Sequence, residues 1–204
     1  MIKETKVGNY RWFICFMLFA ATTINYLDRQ ILGLLKPTLE KTFSWTETDY
    51  SHIVMAFTAT YAIGQLLYGK VIDKIGTKLG YTISVTVWSI AAMLHAAVRS
   101  TFGFVVMRGL LGLGESGNYP GGVKTVAEWF PKKERALAVG IFDSGSNIGA
   151  CVGPLLVPWI LAVYGWQMAF IITGALGFIW LAAWMSFYEI PVKQKKLSAA
   201  ELDY

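Results

Sequence analysis

Apolar residues gather into six segments of spanning length, at residues 12–35, 47–68, 79–98, 102–122, 136–161 and 167–188, with polar residues collected between them. A helix rises about 1.5 Å per residue, so about 20 residues cross a 30 Å hydrocarbon core. The segments are too long for membrane strands and lack period-two alternation. Backbone groups in lipid must bond internally, which leaves helices. The first segment does not read as a cleaved leader: it is long, carries Asp28 and Arg29 near its far end, and shows no clear small-residue cleavage site. Six spans divide into two sets of three that start from opposite faces of the bilayer, the arithmetic of a 3+3 inverted repeat. The expected fold is an all-α membrane bundle over residues 1–192, with a cytoplasmic central loop beginning at 193–204.

Composition strengthens this reading. Of 204 residues, 55% are apolar and 15% charged, and mean hydropathy is +0.48. A water-soluble globule of this size could not hide so much apolar surface. Disordered, disulfide-framework and nucleic-acid-binding classes are disfavoured by the same numbers. Cys15 and Cys151 sit in apolar runs and form no CxxC pair, so neither a metal site nor a cofactor is expected. The net charge of +5 follows from topology. With the amino terminus in the cytoplasm, thirteen Lys and Arg residues fall inside and only Lys36, Lys41 and Arg99 fall outside. That positive-inside bias puts both termini in the cytoplasm and leaves no excess charge that calls for a nucleic-acid partner.

Five charges lie within the spans: Asp28, Arg29, Arg108, Glu115 and Asp143. Each costs about 2.5–3.5 kcal/mol on insertion scales and needs a partner, water or a function. Asp28 is roughly 10 Å below the outer surface and Arg108 roughly 9 Å, so the two are expected to meet across a shared cavity. Glu115 lies nearly two turns beyond Arg108 on the same stripe, with Gly112 between them. Tyr26, Tyr61, Gln65, Ser144, Ser146 and Asn147 fall at comparable depth and sketch a polar cavity lined by spans one, two, four and five. Two arginines in apolar surroundings suit an anion, because the guanidinium fork binds a carboxylate bidentately. Two carboxyl groups beside them suit proton coupling, since low dielectric favours the neutral acid and a nearby guanidinium favours the carboxylate. The plain alternative is a satisfied buried ion pair that only fixes helix packing. Asp143, nearer the cytoplasm, is expected to pair with Lys124 or Arg135.

Gly112-Leu-Gly114-Glu115-Ser-Gly117 matches GxGxxG, but it sits inside a spanning helix without the strand that a dinucleotide site requires. Its glycines, like Gly145, Gly149 and Gly153 before Pro154, read instead as notches for close helix approach. Between spans two and three runs Gly69-xxx-Asp73-xx-Gly76-x-Lys78. This loop, together with Arg108 and the 145–154 run, resembles signatures of the major facilitator superfamily. Asn25-Tyr26-Leu27-Asp28-Arg29, Arg108-Gly109 through Gly114-Glu115-Ser116, and Glu128-Trp129-Phe130-Pro131-xx-Glu134-Arg135 look like the anion:cation symporter family within it. The stretch from Gly165 to Leu176 is similar to bacterial hexuronate and sugar-acid transporters. The resemblance implies proton-coupled uptake of an organic anion by alternating access, with hexuronate or aldonate as the favoured solute, in the bacterial inner membrane. It also implies that Asp28 and Glu115 handle protons. Tyr26, Arg29, Tyr61 and Arg108 then contact the substrate, and Ser146 or Asn147 touches sugar hydroxyls.

Superfamily members carry about twelve helices in two six-helix halves. This chain stops at Tyr204, where the central loop would begin, and so looks like an amino-terminal half, the product of a truncated frame or a fragment. A carboxy-terminal half or a homodimer would close the cavity. The other function class is a non-transporting membrane module that needs a partner. An enzyme is disfavoured, since His52 and His95 are isolated and no HExxH or GxSxG string is present.

Overall fold

The computed structural model describes residues 8–194 and Leu197, and it is helical throughout its spans. The proposed central loop, apart from residues 193, 194 and 197, lies outside the described residues. Seven helices follow in order: α1 (Tyr10–Phe43), α2 (Glu47–Ile75), α3 (Thr77–Leu94, continued by a 3-10 turn His95–Ala97), α4 (Thr101–Glu115), α5 (Asn118–Trp129), α6 (Arg135–Tyr164) and α7 (Trp166–Phe187). By length and composition alone, 77–97, α6 and α7 are long and apolar enough to cross a membrane.

Local chemistry sets the joints. Ser44 takes a left-handed conformation (φ 54°) to end α1, and Thr46 with Asp49 forms a capping box that starts α2. Gly76 (φ 87°) and Gly165 (φ 84°) turn the chain between α2 and α3 and between α6 and α7, conformations that residues with a Cβ rarely adopt.

The fourth predicted span departs from expectation. It is two helices, α4 and α5, and it runs to Trp129 rather than ending at residue 122. Pro120 has no N–H to give to the Ser116 carbonyl. In addition, the Gly114 carbonyl accepts from Ser84 Oγ at 2.7 Å and takes a long 3.4 Å backbone bond from the Gly117 N–H. Asn118 is held at the break, its Oδ1 accepting from Tyr81 Oη at 2.5 Å and its Nδ2 donating to Thr22 at 3.2 Å.

Helix pairing has the symmetry of an inverted repeat: α1 lies on α6, α2 on α4, and α3 on α7. Exchanging the first three spans for the last three maps the first pair onto the second and the third onto itself. Glycines make the approaches possible. A Cβ on Gly145 or Gly149 would sit 2.4 or 2.5 Å from a backbone carbonyl of α1, and one on Gly112 2.5 Å from the Phe57 carbonyl of α2. Gly114 and Gly117 abut Trp88 and Tyr68 as tightly. The GxGxxG string is therefore a packing surface.

Two apolar cores stack along the bundle. One, near the termini, holds Ile14, Leu18, Tyr81, Trp88, Phe142 and Trp184, and the other, at the far end, holds Ile31, Leu35, Phe104, Ile160 and Phe170. Large apolar side chains also point outward, such as Leu66, Phe102 and Leu155, each more than three-quarters exposed, as lipid-facing helices require.

The end of the bundle carrying the termini is laced by polar ties. Asp73 pairs with Lys124, Lys78 Nζ lies 3.1 Å from Glu189, and Arg11 Nε lies 3.0 Å from Glu134. Glu128 accepts from Thr77 and Tyr188. These contacts place three motif residues. Asp73 and Lys78 anchor α2 and α3 to α5 and to the chain after α7, and Gly76 makes the turn between them. Gly69 faces open space. The expected pairing of Asp143 is not formed. Lys124 is taken by Asp73, Arg135 donates to the Phe130 and Ala127 carbonyls, and Asp143 is exposed with no ion pair among the described residues. Along α6 the register that buries Gly145 and Gly149 against α1 turns Asp143 outward.

Candidate functional site

Between the two apolar cores lies a charged layer built from α1, α2 and α4. Asn25 and Tyr26 each lie about one turn before Arg29 on α1, and Phe57, Tyr61 and Gln65 stand at four-residue steps on α2. Arg108 and Glu115 come from α4.

Arg29 is the centre of this layer. Its Nε and Nη2 both donate to Glu115 Oε2 at 3.1 Å, and Nη2 also reaches Asn25 Oδ1 at 3.2 Å. Its guanidinium lies 4.5 Å from the ring centre of Tyr61, 4.7 Å from Tyr26 and 5.2 Å from Phe57. An aromatic cage of this kind holds a cation without neutralising it. Phe57 and Tyr61 stack, and Gln65 donates to Tyr61 Oη at 2.7 Å, which fixes that ring. Glu115 is wholly buried, and its second oxygen, Oε1, has no hydrogen-bond partner among the described residues.

Arg108 is held differently. Its Nη2 donates to the Arg29 backbone carbonyl at 2.9 Å and its guanidinium lies 5.0 Å from the Phe57 ring, yet Nε and Nη1 have no partner although the residue is 95% buried. A buried guanidinium with two unused donors is costly to leave unmatched, and it suits an incoming carboxylate. A cavity of about 450 Å³ opens onto both arginines, within the size range of small-molecule sites.

Asp28 and Arg108 do not meet. Adjacent residues on a helix point about 100° apart, and in this register Arg29 lines the cavity while Asp28 does not. Asp28 turns inward toward Thr173 of α7, buried, with neither carboxylate oxygen hydrogen-bonded among the described residues. Arg29 takes the place beside α4 that was expected for Asp28. Arg108 and Glu115 share a stripe, but the acid pairs with Arg29. Among the described residues no hydrogen bond joins Ser146 or Asn147 to this cluster: Ser146 Oγ donates to the Asp143 carbonyl, and Asn147 is exposed. Phe57, which touches both arginines, is an apolar residue that the polar pattern does not single out; its position one turn before Tyr61 is the signal. His95, isolated in the sequence, has a structural place. It is fully buried, bonded through Nδ1 to the Ala91 carbonyl, and stacked on Phe170.

Comparison with known proteins gives this architecture a family. Residues 18–203 match the Major Facilitator Superfamily, and the chain belongs to it. It is 41% identical to the hexuronate transporter of Escherichia coli (strain K12), over 98% of this chain and 46% of that protein. The galacturonate transporter of Dickeya chrysanthemi is 40% identical over 98% of this chain and 58% of its own. The D-galactonate transporter of Escherichia coli O6:H1 is 32% identical, with coverages of 100% and 47%. The chain thus spans about half the length of the curated relatives it matches. In fold it superimposes on a bacterial homologue of the lysosomal transporter Spinster, in an inward-facing unoccupied conformation. The TM-score is 0.79 at 19% identity, covering 91% of this chain and 44% of that one.

Proposed function

We propose that this six-span bundle forms the substrate-gripping half of a proton-coupled carrier for sugar acids, with hexuronate or aldonate as solute. The observation that carries the reading is the Arg29–Glu115 pair beside the unsatisfied Arg108. A solute carboxylate can use the Arg29 fork only when Glu115 lets go, and Glu115 lets go when it takes a proton. One proton on Glu115 and one solute anion on Arg29 leave the charge of the layer unchanged, so binding of the two is thermodynamically linked. Asp28, behind the cavity and close to the charges of Glu115 and Arg108, is a second proton acceptor in this scheme. Tyr26 and Tyr61 hold Arg29 and offer hydroxyls to the solute, and Ser146 and Asn147 reach it when α6 rocks. No cofactor or metal is needed.

The positive-inside bias supports both termini in the cytoplasm, and the bacterial relatives support an inner-membrane location. A carboxy-terminal half, or a second copy of the chain, closes the cavity face of α1, α2, α4 and α6. A non-transporting membrane module is the competing reading. Uptake of labelled glucuronate or galactonate into vesicles, with and without an imposed pH gradient, separates the two. The carrier reading expects accumulation driven by the gradient. Uptake equal to that of empty vesicles, with the carboxy-terminal half supplied, would contradict it.

A further inference from the structure

The cavity that opens onto the arginines continues along the outer half of α1 and α2, and its walls carry polar groups that the Arg29–Glu115 layer does not use. Gln30, Tyr50 and Thr58 line it above the floor formed by Phe57 and Arg108. These polar groups are available. Neither the Gln30 amide nor the Tyr50 hydroxyl has a hydrogen-bond partner among the described residues. Thr58 spends its proton on the Val54 carbonyl at 3.1 Å, leaving its oxygen to accept. The Gln30 amide has a made seat: an added Cβ on Gly153 of α6 would come within 3.1 Å of Gln30 Oε1. At the base, the unpartnered Nε and Nη1 of the 95% buried Arg108 supply the charge.

We propose that this chamber is a ring subsite outside the arginine layer, where a polyhydroxylated carboxylate docks with its carboxylate on Arg108 and its hydroxyls on Gln30, Tyr50 and Thr58. The inference rests on the sugar-acid reading and deepens it by naming what distinguishes a sugar acid from any other carboxylate. An amide offers a donor and an acceptor, a phenol offers both, and Thr58 offers an acceptor, a set that matches hydroxyl groups. The apolar remainder of the chamber, Phe57 and Val54, suits the C–H faces of a sugar ring. A solute held here keeps its carboxylate beside Arg29, onto whose fork it can pass once Glu115 takes a proton.

The test uses the full chain, purified into lipid nanodiscs, with binding measured by calorimetry. Three probes are titrated: D-glucuronate, cyclohexanecarboxylate (the same ring size and charge without hydroxyls) and D-glucose. The subsite predicts tighter binding of glucuronate than of cyclohexanecarboxylate. Gln30→Ala, Tyr50→Phe and Thr58→Val each weaken glucuronate about threefold to tenfold, the loss of one hydrogen bond, and leave cyclohexanecarboxylate unchanged. Gly153→Ala, which crowds the Gln30 amide, reproduces the Gln30→Ala effect in part. Thermal unfolding of each variant checks that the bundle is intact. If both carboxylates bind and the variants weaken them equally or not at all, the subsite is overturned while anion binding stands. If the wild-type chain binds neither carboxylate, alone or with the carboxy-terminal half supplied, the subsite and the function beneath it both fall.

Discussion

Replacing Arg29 with Gln removes the partner of a fully buried carboxylate. Glu115 loses both hydrogen bonds to Oε2, and Oε1 has no partner already, so every oxygen of the acid is left bare in low dielectric. Breaking a buried pair from one side costs about 3–5 kcal/mol. The reverse change, Glu115→Gln, costs less. Arg29 is about one-quarter exposed, keeps Asn25, and stays caged by three rings. The double variant removes both charges, so the penalty of an uncompensated acid disappears. The expected order of thermal stability in nanodiscs is wild type, then Glu115→Gln and the double variant together, then Arg29→Gln lowest. The coupling energy from the cycle should reach about 2 kcal/mol or more, as for desolvated pairs. Additive effects, with the double variant less stable than Arg29→Gln, would refute the ion pair as the organising contact of this layer.

Other consequences are as direct. Gly145→Val or Gly149→Val should force α1 off α6 and abolish folded yield on size-exclusion chromatography, because even the first added carbon meets a carbonyl at 2.4–2.5 Å, whereas Gly69→Ala has open space and should be silent. Gly76→Ala puts a Cβ at φ 87° and should cost about 1–3 kcal/mol, read from denaturant unfolding. Lys78 holds the Glu189 carboxyl below its ordinary value of 4.5. The stabilisation from that pair is full above 4.5 and is lost as the pH falls through the lowered value. The melting-temperature gap between wild type and Glu189→Gln should therefore close in acid, and a gap constant across pH would argue against the pairing. Glu115→Gln should leave solute exchange measurable while removing its acceleration by an inward proton gradient in vesicle uptake.

The sequence carried the helical spans because their apolar runs are long and their loops charged, signals that need no knowledge of packing. The inverted repeat was legible only as span counting; the pairing of α1 with α6 and α2 with α4 became visible through the glycine notches at Gly145, Gly149 and Gly112. Arg29, Arg108 and Glu115 stood out as charges in oil, but which acid meets which arginine depends on helix rotation. A one-residue step turned Asp28 to α7 and Arg29 to α4. The break after Glu115 was encoded by Pro120 and is accompanied by the Ser84 hydroxyl that donates to the Gly114 carbonyl, and the second of these is a tertiary contact that no run of α4 residues reveals. Phe57 escaped notice because an apolar side chain in a span carries no mark of its use until the two guanidinium groups are seen against its ring.

The central claim is that Arg29 and Arg108 are kept in the membrane to receive a negatively charged solute. Calorimetric titration of D-glucuronate into the nanodisc-held chain and into an Arg29→Gln/Arg108→Gln variant of equal folded yield tests it most directly. The account predicts saturable binding to the first and none to the second. Undiminished binding by the variant would contradict it.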